Sequence, residues 1–482
     1  MALQSKSGLP PANDHSELII GGMLRSTLRV VSFLLLLVIA VLAPVVASGY
    51  SELKQASTSG TPLEAAGHYK AAALRLPWRV DLYELAGHAY YQAKEYSPAE
   101  AAYRKAFERH ALSPEGRVAW GDVLYLSHDS EQATQIWEQG LAQEHFSEML
   151  YSRLAQVYKE NKDYSHAAQV LQKYVAVHPE DAAAHYRLGL LLTLMDQNTA
   201  LSELVTASQL DPQFDPAMEV LRSALNQASL RESSSDRFVL IGRGLALVQE
   251  WELARFAFDA AVKADEENAE AWAWLGEASH QTGSDGGTAL DRALALDANS
   301  PIVRGLRGLS FERAGKFRSA LTEFQAAAQL DDQNPAWQVS IGETYSKLGD
   351  LIRALEAYQA ATKLAPRDTG YLRLLALFCA QNNVNINSVG IPAAQKAVAL
   401  EKDSVDSLDL LGWLLMLDKR YEYSKQIFDQ ALAVDPKNAA VHLHLGMLYL
   451  QMDDRAQAQE HFVTARDLGS TEAESILNQY FP

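Results

Sequence analysis

A 34-residue period constrains the fold more than any other feature of the sequence. In residues 335–368, Gly342, Tyr345, Ala354 and Tyr358 stand at positions 8, 11, 20 and 24 of the period. Because a unit this short cannot bury its apolar face alone, the period predicts units that stack on their neighbours. The same slots recur in ten further segments: 80–113, 114–147, 148–181, 182–214, 235–268, 269–300, 301–334, 369–404, 405–438 and 439–472.

Each unit is predicted to form two antiparallel helices. Small residues at positions 8, 20 and 27 let two helix backbones approach closely, and large residues at positions 7, 11, 17 and 24 fill the space beside them. Gly, Asp, Asn or Lys near position 15 is expected to turn the chain, and Pro near position 32 to start the next unit.

This pattern resembles the tetratricopeptide repeat. The resemblance covers nearly all of residues 61–472 and implies an all-α fold, a right-handed superhelical solenoid of about eleven helix pairs. We expect an N-terminal array over 61–214, a joint helix and linker over 215–234, a C-terminal array over 235–472 and a terminal capping segment over 473–482.

The chain before the array predicts export. Residues 30–47 carry no charge, and 18 residues in a helix extend about 27 Å, enough for one transmembrane helix. Arg25 and Arg29 favour a cytoplasmic polar segment over 1–29, so the linker 48–60 and the array lie outside the cytoplasm. The expected location is the cytoplasmic (plasma) membrane, with a single pass. The alternative is a signal peptide cleaved near Ala47, which leaves an exported soluble protein.

Composition and motifs argue against several functions. The net charge of −18 and the lack of a basic stripe argue against nucleic-acid binding. Cys379 is the sole cysteine, so neither an internal disulfide nor a thiolate metal site can form. His442 and His444 are two residues apart and lie on different sides of a helix. We therefore predict no catalytic residue, no cofactor and no metal site.

The resemblance also implies which residues face the concave groove, namely positions 2, 5, 9 and 12 of each unit. In the N-terminal zone these positions are acidic and aromatic, and in the C-terminal zone they are apolar. The candidate groove residues are Asp81, Tyr91, Asp122 and Tyr125 in the first zone, and Trp413, Met416, Leu443, Met447 and Leu450 in the second.

Apolar residues at positions expected to face solvent indicate an interaction surface, and Trp and Met are typical of one. A second interpretation stays open, in which the terminal segment folds over the groove through Ile476, Tyr480 and Phe481. The Lys, Asn and Arg set that clamps a C-terminal carboxylate in chaperone-binding repeats is absent, so a basic or apolar partner fits the predicted groove better.

The sequence therefore predicts a non-catalytic, membrane-anchored scaffold or adaptor that binds peptide or protein segments in its groove. In layout it resembles bacterial membrane proteins that pair one N-terminal helix with a tetratricopeptide array. The alternatives are a permanent structural subunit of an envelope or secretion assembly and a polysaccharide-handling component. The partner's identity and homo-oligomerisation stay open.

Overall fold

The computed structural model describes residues 15–143 and 148–481, with side chains for 31–141 and 149–481. Over these ranges the chain forms twenty-six α-helices and no β-strand, which confirms the predicted all-α class. The chain divides into two compact units between Asp215 and Pro216, at the start of the predicted joint.

Unit 1 contains ten helices and a short 3₁₀ turn at Pro212–Phe214. From α3 onward they alternate as the first and second helices of the predicted pairs. They are α1 (His15–Thr58), α2 (Pro62–Arg75), α3 (Asp81–Gln92), α4 (Tyr96–Glu108), α5 (Pro114–Leu126), α6 (Ser130–Gln143), α7 (Glu148–Glu160), α8 (Tyr164–Val177), α9 (Ala182–Leu192) and α10 (Gln197–Leu210).

Unit 2 opens on a lone helix, which begins at Asp215, and continues in pairs to a final single helix. A π-helical turn at Ile386–Gly390 lengthens the connection inside one pair. The helices are α11 (Asp215–Ser229), α12 (Ser234–Leu247), α13 (Trp251–Ala264), α14 (Ala269–Gln281), α15 (Gly287–Leu296), α16 (Pro301–Arg313), α17 (Phe317–Leu330), α18 (Pro335–Lys347), α19 (Leu351–Leu364), α20 (Thr369–Asn382), α21 (Ile391–Leu400), α22 (Val405–Leu417), α23 (Tyr421–Val434), α24 (Ala439–Gln451), α25 (Arg455–Asp467) and α26 (Thr471–Tyr480).

Short polar side chains set where the first helices begin. The Ser300 hydroxyl accepts a hydrogen bond from the Val303 N–H, and the Asn438 side chain does the same for the Val441 N–H. Such caps satisfy N–H groups that have no partner within the helix. The same role is played by Ser113, Ser233, Asn268, Asn334, Asp368, Ser404 and Ser470.

The turn inside ten of the eleven pairs has the same backbone conformation. Position 15 has a positive φ in ten units, and the next N–H donates to the carbonyl of position 11, as Asp350 does to Tyr345 at 2.9 Å. This closes the first helix and reverses the chain. The residues at position 15 are Lys94, His128, Lys162, Gln249, Gly283, Gly315, Gly349, Asn383, Lys419 and Asp453.

The two helices of a pair meet where a glycine lies against a large side chain. A Cβ atom at Gly121 would stand 2.1 Å from the Trp137 Nε1 atom, and one at Gly412 would stand 2.5 Å from the Phe428 ring. Position 8 is therefore filled by the residue at position 24. The same contact joins Gly87 to Tyr103, Gly242 to Phe258, Gly308 to Phe324, Gly342 to Tyr358 and Gly446 to Phe462. In the shorter units 182–214 and 269–300, Leu204 at position 23 and Leu290 at position 22 make it with Gly189 and Gly276.

The N-terminal helix does not stop at the end of the apolar stretch. Residues 31–45 of α1 are exposed, and Val31–Thr58 is long and apolar enough to cross a membrane by length and composition. Residues 48–58, predicted to be a linker, continue the same helix and pack on α2. The helix begins at His15, inside the predicted polar segment 1–29, of which residues 1–14 lie outside the described part of the chain.

Enlarging the small residues between helices should destabilise the fold. Ala354 and Ala431 are fully buried, so Ala354→Leu and Ala431→Leu should each lower the free energy of unfolding by about 1–3 kcal/mol. Ala456→Leu, at an exposed position of α25, is the control and should leave thermal melting unchanged. Equal melting of all three variants would place Ala354 and Ala431 outside the tight helix contacts.

Candidate functional site

Three of the predicted N-terminal groove residues come together across α3, α5 and α7. The Arg153 guanidinium donates two hydrogen bonds to the Asp122 carboxylate, at 2.7 and 3.1 Å. Burial raises the pKa of Tyr91, and the nearby charge of Asp122 adds to the rise. The Tyr125 hydroxyl donates to Glu160, which raises the pKa of Tyr125. The Asp122 carboxylate, at the centre of this zone, therefore already has a cationic partner in Arg153.

The fourth N-terminal candidate, Asp81, lies at the start of α3. It accepts two hydrogen bonds from Arg79, at 2.9 and 2.7 Å, and this guanidinium lowers the pKa of the Asp81 carboxyl. Neither Asp81 nor Asp122 is therefore an uncompensated charge that awaits a basic partner.

The C-terminal candidates are packed more tightly than predicted. Met416 is 8% exposed and Leu443 is 7% exposed, so the expectation that they face solvent is wrong. Met416 belongs to a cluster with Phe428 on α23, the second helix of its own pair. Residues at these positions are buried because the apolar first helices α22 and α24 pack on several neighbours at once.

The last helix contributes to this burial. Leu443, Met447 and Leu450 belong to the same apolar cluster as Leu477 and Phe481, the first of which lies on α26 and the second just after it. Ile476 joins the cluster, whereas the Tyr480 side chain is exposed. Of the two interpretations left open by the sequence, these contacts favour cover by the terminal segment.

Trp413 is half-buried and stacks on a histidine. Its ring centroid lies 5.1 Å from that of His444, with the planes 16° apart, and His444 Nδ1 lies 2.8 Å from the Asp409 carboxylate. The indole is thus held by contacts within α22 and α24.

The structure shows an opening elsewhere, in unit 2 around Arg243. Two clefts of about 360 and 260 Å³ flank this residue and share Arg243 and Leu247 in their walls. The larger lies between α11 and α12, where Ala224 approaches Gly244. The smaller is lined by Arg243, Ala246, Leu247, Gln249, Trp251 and Trp274.

The groups in these clefts suit a ligand with both apolar and acidic parts. The Arg243 guanidinium lies 5.6 Å from the centre of the Trp274 ring and makes a long hydrogen bond of 3.3 Å to Glu270. Leu247 is 71% exposed and separates the clefts. An arginine whose side chain is 43% exposed retains donors for a carboxylate, and the indoles offer flat apolar surface.

Part of these clefts could be predicted from the sequence. Arg243 occupies position 9 of its unit, one of the four groove positions, but Leu247, Trp251 and Trp274 occupy positions 13, 17 and 6. The larger cleft lies where the lone helix α11 packs on α12, whereas residues of α12, α13 and α14 and of the turn after α12 line the smaller one. The packing of α11 on α12 is absent from the repeat pattern.

Several other charged residues on the first helices of unit 2 are paired between neighbouring units. Arg313 on α16 bonds to the buried Glu277 on α14, and Lys347 on α18 bonds to Glu312 on α16. Burial raises the pKa of Glu343, and the nearby charge of Glu312 adds to this. These pairs tie consecutive first helices together.

The histidines singled out in the sequence lie in separate contacts. His442 is buried and its Nδ1 lies 3.0 Å from that of His461, which stacks on Tyr449. Burial lowers the pKa of His461, and the neighbouring His442 adds to this. Over the described side chains, no three His, Cys, Asp or Glu residues gather as metal ligands would.

Family models described as tetratricopeptide repeat match residues 80–109, 152–198, 241–301, 306–369 and 415–479, which together make up more than half of the chain. The chain belongs to the tetratricopeptide repeat family. Proteins of this family generally act as interaction scaffolds.

Individual relatives are distant. Tetratricopeptide repeat protein 37 of Xenopus laevis is 26% identical over 271 residues, which are 53% of this chain and 15% of that protein. The BBSome complex member BBS4 homolog of Drosophila melanogaster is 24% identical over 180 residues, 36% of this chain and 37% of that protein. The chain therefore spans well under half the length of these relatives.

Among solved structures, the chain is similar to one in the APC/C hetero-tetramer Cut9-Hcn1, with a TM-score of 0.42, 14% identity and coverage of 90% of this chain and 95% of that one. Yeast Tom70 gives a TM-score of 0.38 and 13% identity, with coverage of 92% and 95%.

Charged substitutions should separate the packed candidates from the open one. Met416→Glu buries an unpaired carboxylate and should lower the free energy of unfolding by more than about 2 kcal/mol. Leu247→Glu places the same group at an exposed site and should change it by less than about 0.5 kcal/mol. Thermal melting measures both, and the opposite order would mean that Met416 faces an open groove.

The His461 contact predicts a pH dependence of stability. The pKa of His461 in the folded state lies below its ordinary value of 6.5, so below pH 6.5 the unfolded chain binds a proton more readily than the folded chain does. The stability of the fold is therefore unaffected by this histidine above pH 6.5 and decreases as the pH falls towards the folded-state pKa. Melting temperatures between pH 7 and 5 should fall less steeply in His461→Gln than in the parent. His128→Asn, at an exposed position with a positive φ, should follow the parent.

Proposed function

We propose that this protein is a non-catalytic scaffold, anchored in the cytoplasmic membrane by the apolar part of α1, that binds an extended protein segment beside Arg243. The array lies outside the cytoplasm. The observation that carries the binding proposal is the pair of clefts in unit 2 that share Arg243 and Leu247.

The lining of the clefts indicates the chemistry of the bound segment. Arg243 would bind a carboxylate, either a side chain or a chain terminus, and the clefts on its two sides would each take an apolar side chain. An extended segment suits this arrangement, because its side chains point alternately to opposite sides. The preferred partner is therefore acidic and apolar, in contrast to the basic or apolar partner expected from the sequence.

The anchoring proposal has separate support. Residues 31–45 of α1 expose an unbroken apolar surface, and the packing of α1 on the array begins only at Val46. An exposed apolar helix of this length is costly in water and stable in a bilayer. Arg25 and Arg29 before it orient the array outward.

Substitution of Arg243 should remove most of the affinity for such a segment. Loss of hydrogen bonds to a charged group costs about 1.5–3 kcal/mol, so Arg243→Glu should weaken binding by at least about tenfold. The measurement is fluorescence polarisation with the full chain in detergent. The labelled peptides would carry Asp or Glu between two aliphatic or aromatic residues, and versions with Asn or Gln serve as the uncharged comparison.

Arg318→Glu is the matched control, because it makes the same charge change at an exposed position of α17. It should leave the affinity unchanged. Equal affinities of the parent and both variants would show that the clefts do not bind such segments. Binding of oligosaccharides in place of peptides would favour the polysaccharide-handling alternative. Isolation of the chain only within one stable complex would favour a permanent structural subunit.

A further inference from the structure

The hairpin of α1 and α2 brings a second surface to the level where the apolar stretch ends. A Cβ atom at Gly49 would lie 2.6 Å from Leu76 Cγ, so the end of α2 touches α1 directly after Ala47. One turn further, the Glu52 carboxylate bonds to Arg75 at 2.9 Å and to His68 at 2.7 Å. Arg75 and Leu76 are therefore fixed beside residues 49–52.

Three large side chains at this level are exposed. The exposed fractions are 47% for Tyr50, 67% for Leu74 and 56% for Trp78. Arg75 and Arg79 lie among them, both partly exposed. Arg79 hydrogen-bonds to Asp81, which raises the pKa of Arg79, and the proximity of Tyr50 adds to the rise, so Arg79 lies near α1. We call these five residues the interfacial patch.

The height of the interfacial patch follows from helix geometry. Gly49 and Tyr50 lie two and three residues beyond Ala47, or about 3–5 Å along a helix. The headgroup layer on each side of a bilayer is about 5–7 Å thick. If the hydrocarbon region ends at Ala47, the patch lies within the headgroup layer.

The composition of the patch fits the same layer. Trp and Tyr prefer the boundary between hydrocarbon and water, because one end of each ring is apolar and the other is polar. Arginine side chains extend from apolar surroundings to phosphate groups. Exposure of a Leu and a Trp to water is energetically unfavourable, and contact with lipid removes this exposure.

We infer that the interfacial patch, formed by Tyr50, Leu74, Arg75, Trp78 and Arg79, is a membrane-docking surface that rests in the lipid headgroup layer. This inference rests on the anchoring in the proposed function. The occupant is a lipid surface and not a protein, because the patch begins at Tyr50, five residues beyond the exposed apolar stretch 31–45 of the same helix. The α1–α2 hairpin then lies directly against the membrane, because α1 continues into the membrane without a break.

The test uses fluorescent labels on the full chain in liposomes that contain phosphatidylcholine and phosphatidylglycerol. The single substitutions Leu74→Cys, Trp78→Cys, Leu63→Cys and Leu37→Cys each add one accessible thiol for an environment-sensitive dye. Cys379 is fully buried and burial raises its pKa to about 11, so it should stay unlabelled. Quenchers are lipids that carry a nitroxide either on the headgroup or in the middle of the acyl chain.

Leu63 is the matched control, since it lies on the same helix as Leu74 and is 51% exposed. The two positions are separated by roughly 16 Å along α2. Docking predicts that headgroup nitroxide quenches dyes at 74 and 78 strongly and the dye at 63 weakly. Acyl-chain nitroxide should quench the dye at position 37.

The outcomes separate this inference from the anchoring. If acyl-chain nitroxide quenches the dye at position 37 while headgroup nitroxide quenches the dyes at 63, 74 and 78 equally and weakly, the anchoring would stand and the docking inference would be overturned. No quenching at 37 would overturn the anchoring, and the docking with it.

Discussion

The contact between a glycine at position 8 and a large side chain at position 24 determines the rest of this structure. Gly121 against Trp137 and Gly412 against Phe428 show how little room it leaves, because a single methyl group would overlap the ring. The close approach brings each second helix onto its first helix. It thereby aligns consecutive first helices, and this alignment decides which polar side chains can meet between units.

Much of the polar surface on those first helices is used within the protein. Asp122 bonds to Arg153, and Glu312 bonds to Lys347, each across neighbouring units. Partly buried pairs of this kind fix one helix relative to the next more than they add net stability. Arg243 differs, because its ion pair is long and clefts open on both sides of it. Binding chemistry is therefore expected where the regular pairing between units is interrupted.

The N-terminal helix belongs to the array as well as to the proposed membrane anchor. Its final part packs on α2 through Gly49 and Leu53, and Glu52 forms ion pairs with that helix. A flexible linker would let the array move freely relative to the apolar part of α1, whereas a continuous helix fixes the position of the first helix pair. Under the proposed anchoring, the same helix would both anchor the array and set its position at the membrane.

The sequence by itself determined the helix pairs, the turn at position 15 and the contact between positions 8 and 24, because these depend on residues a fixed distance apart in the chain. It also indicated the apolar helix before the array. Only the tertiary structure decided that Met416 and Leu443 are buried and that clefts open beside Arg243. A repeat pattern shows which side of a helix is apolar. It does not show how many neighbouring helices cover that side, because segments outside the repeat, such as α11 and α26, also pack on the array.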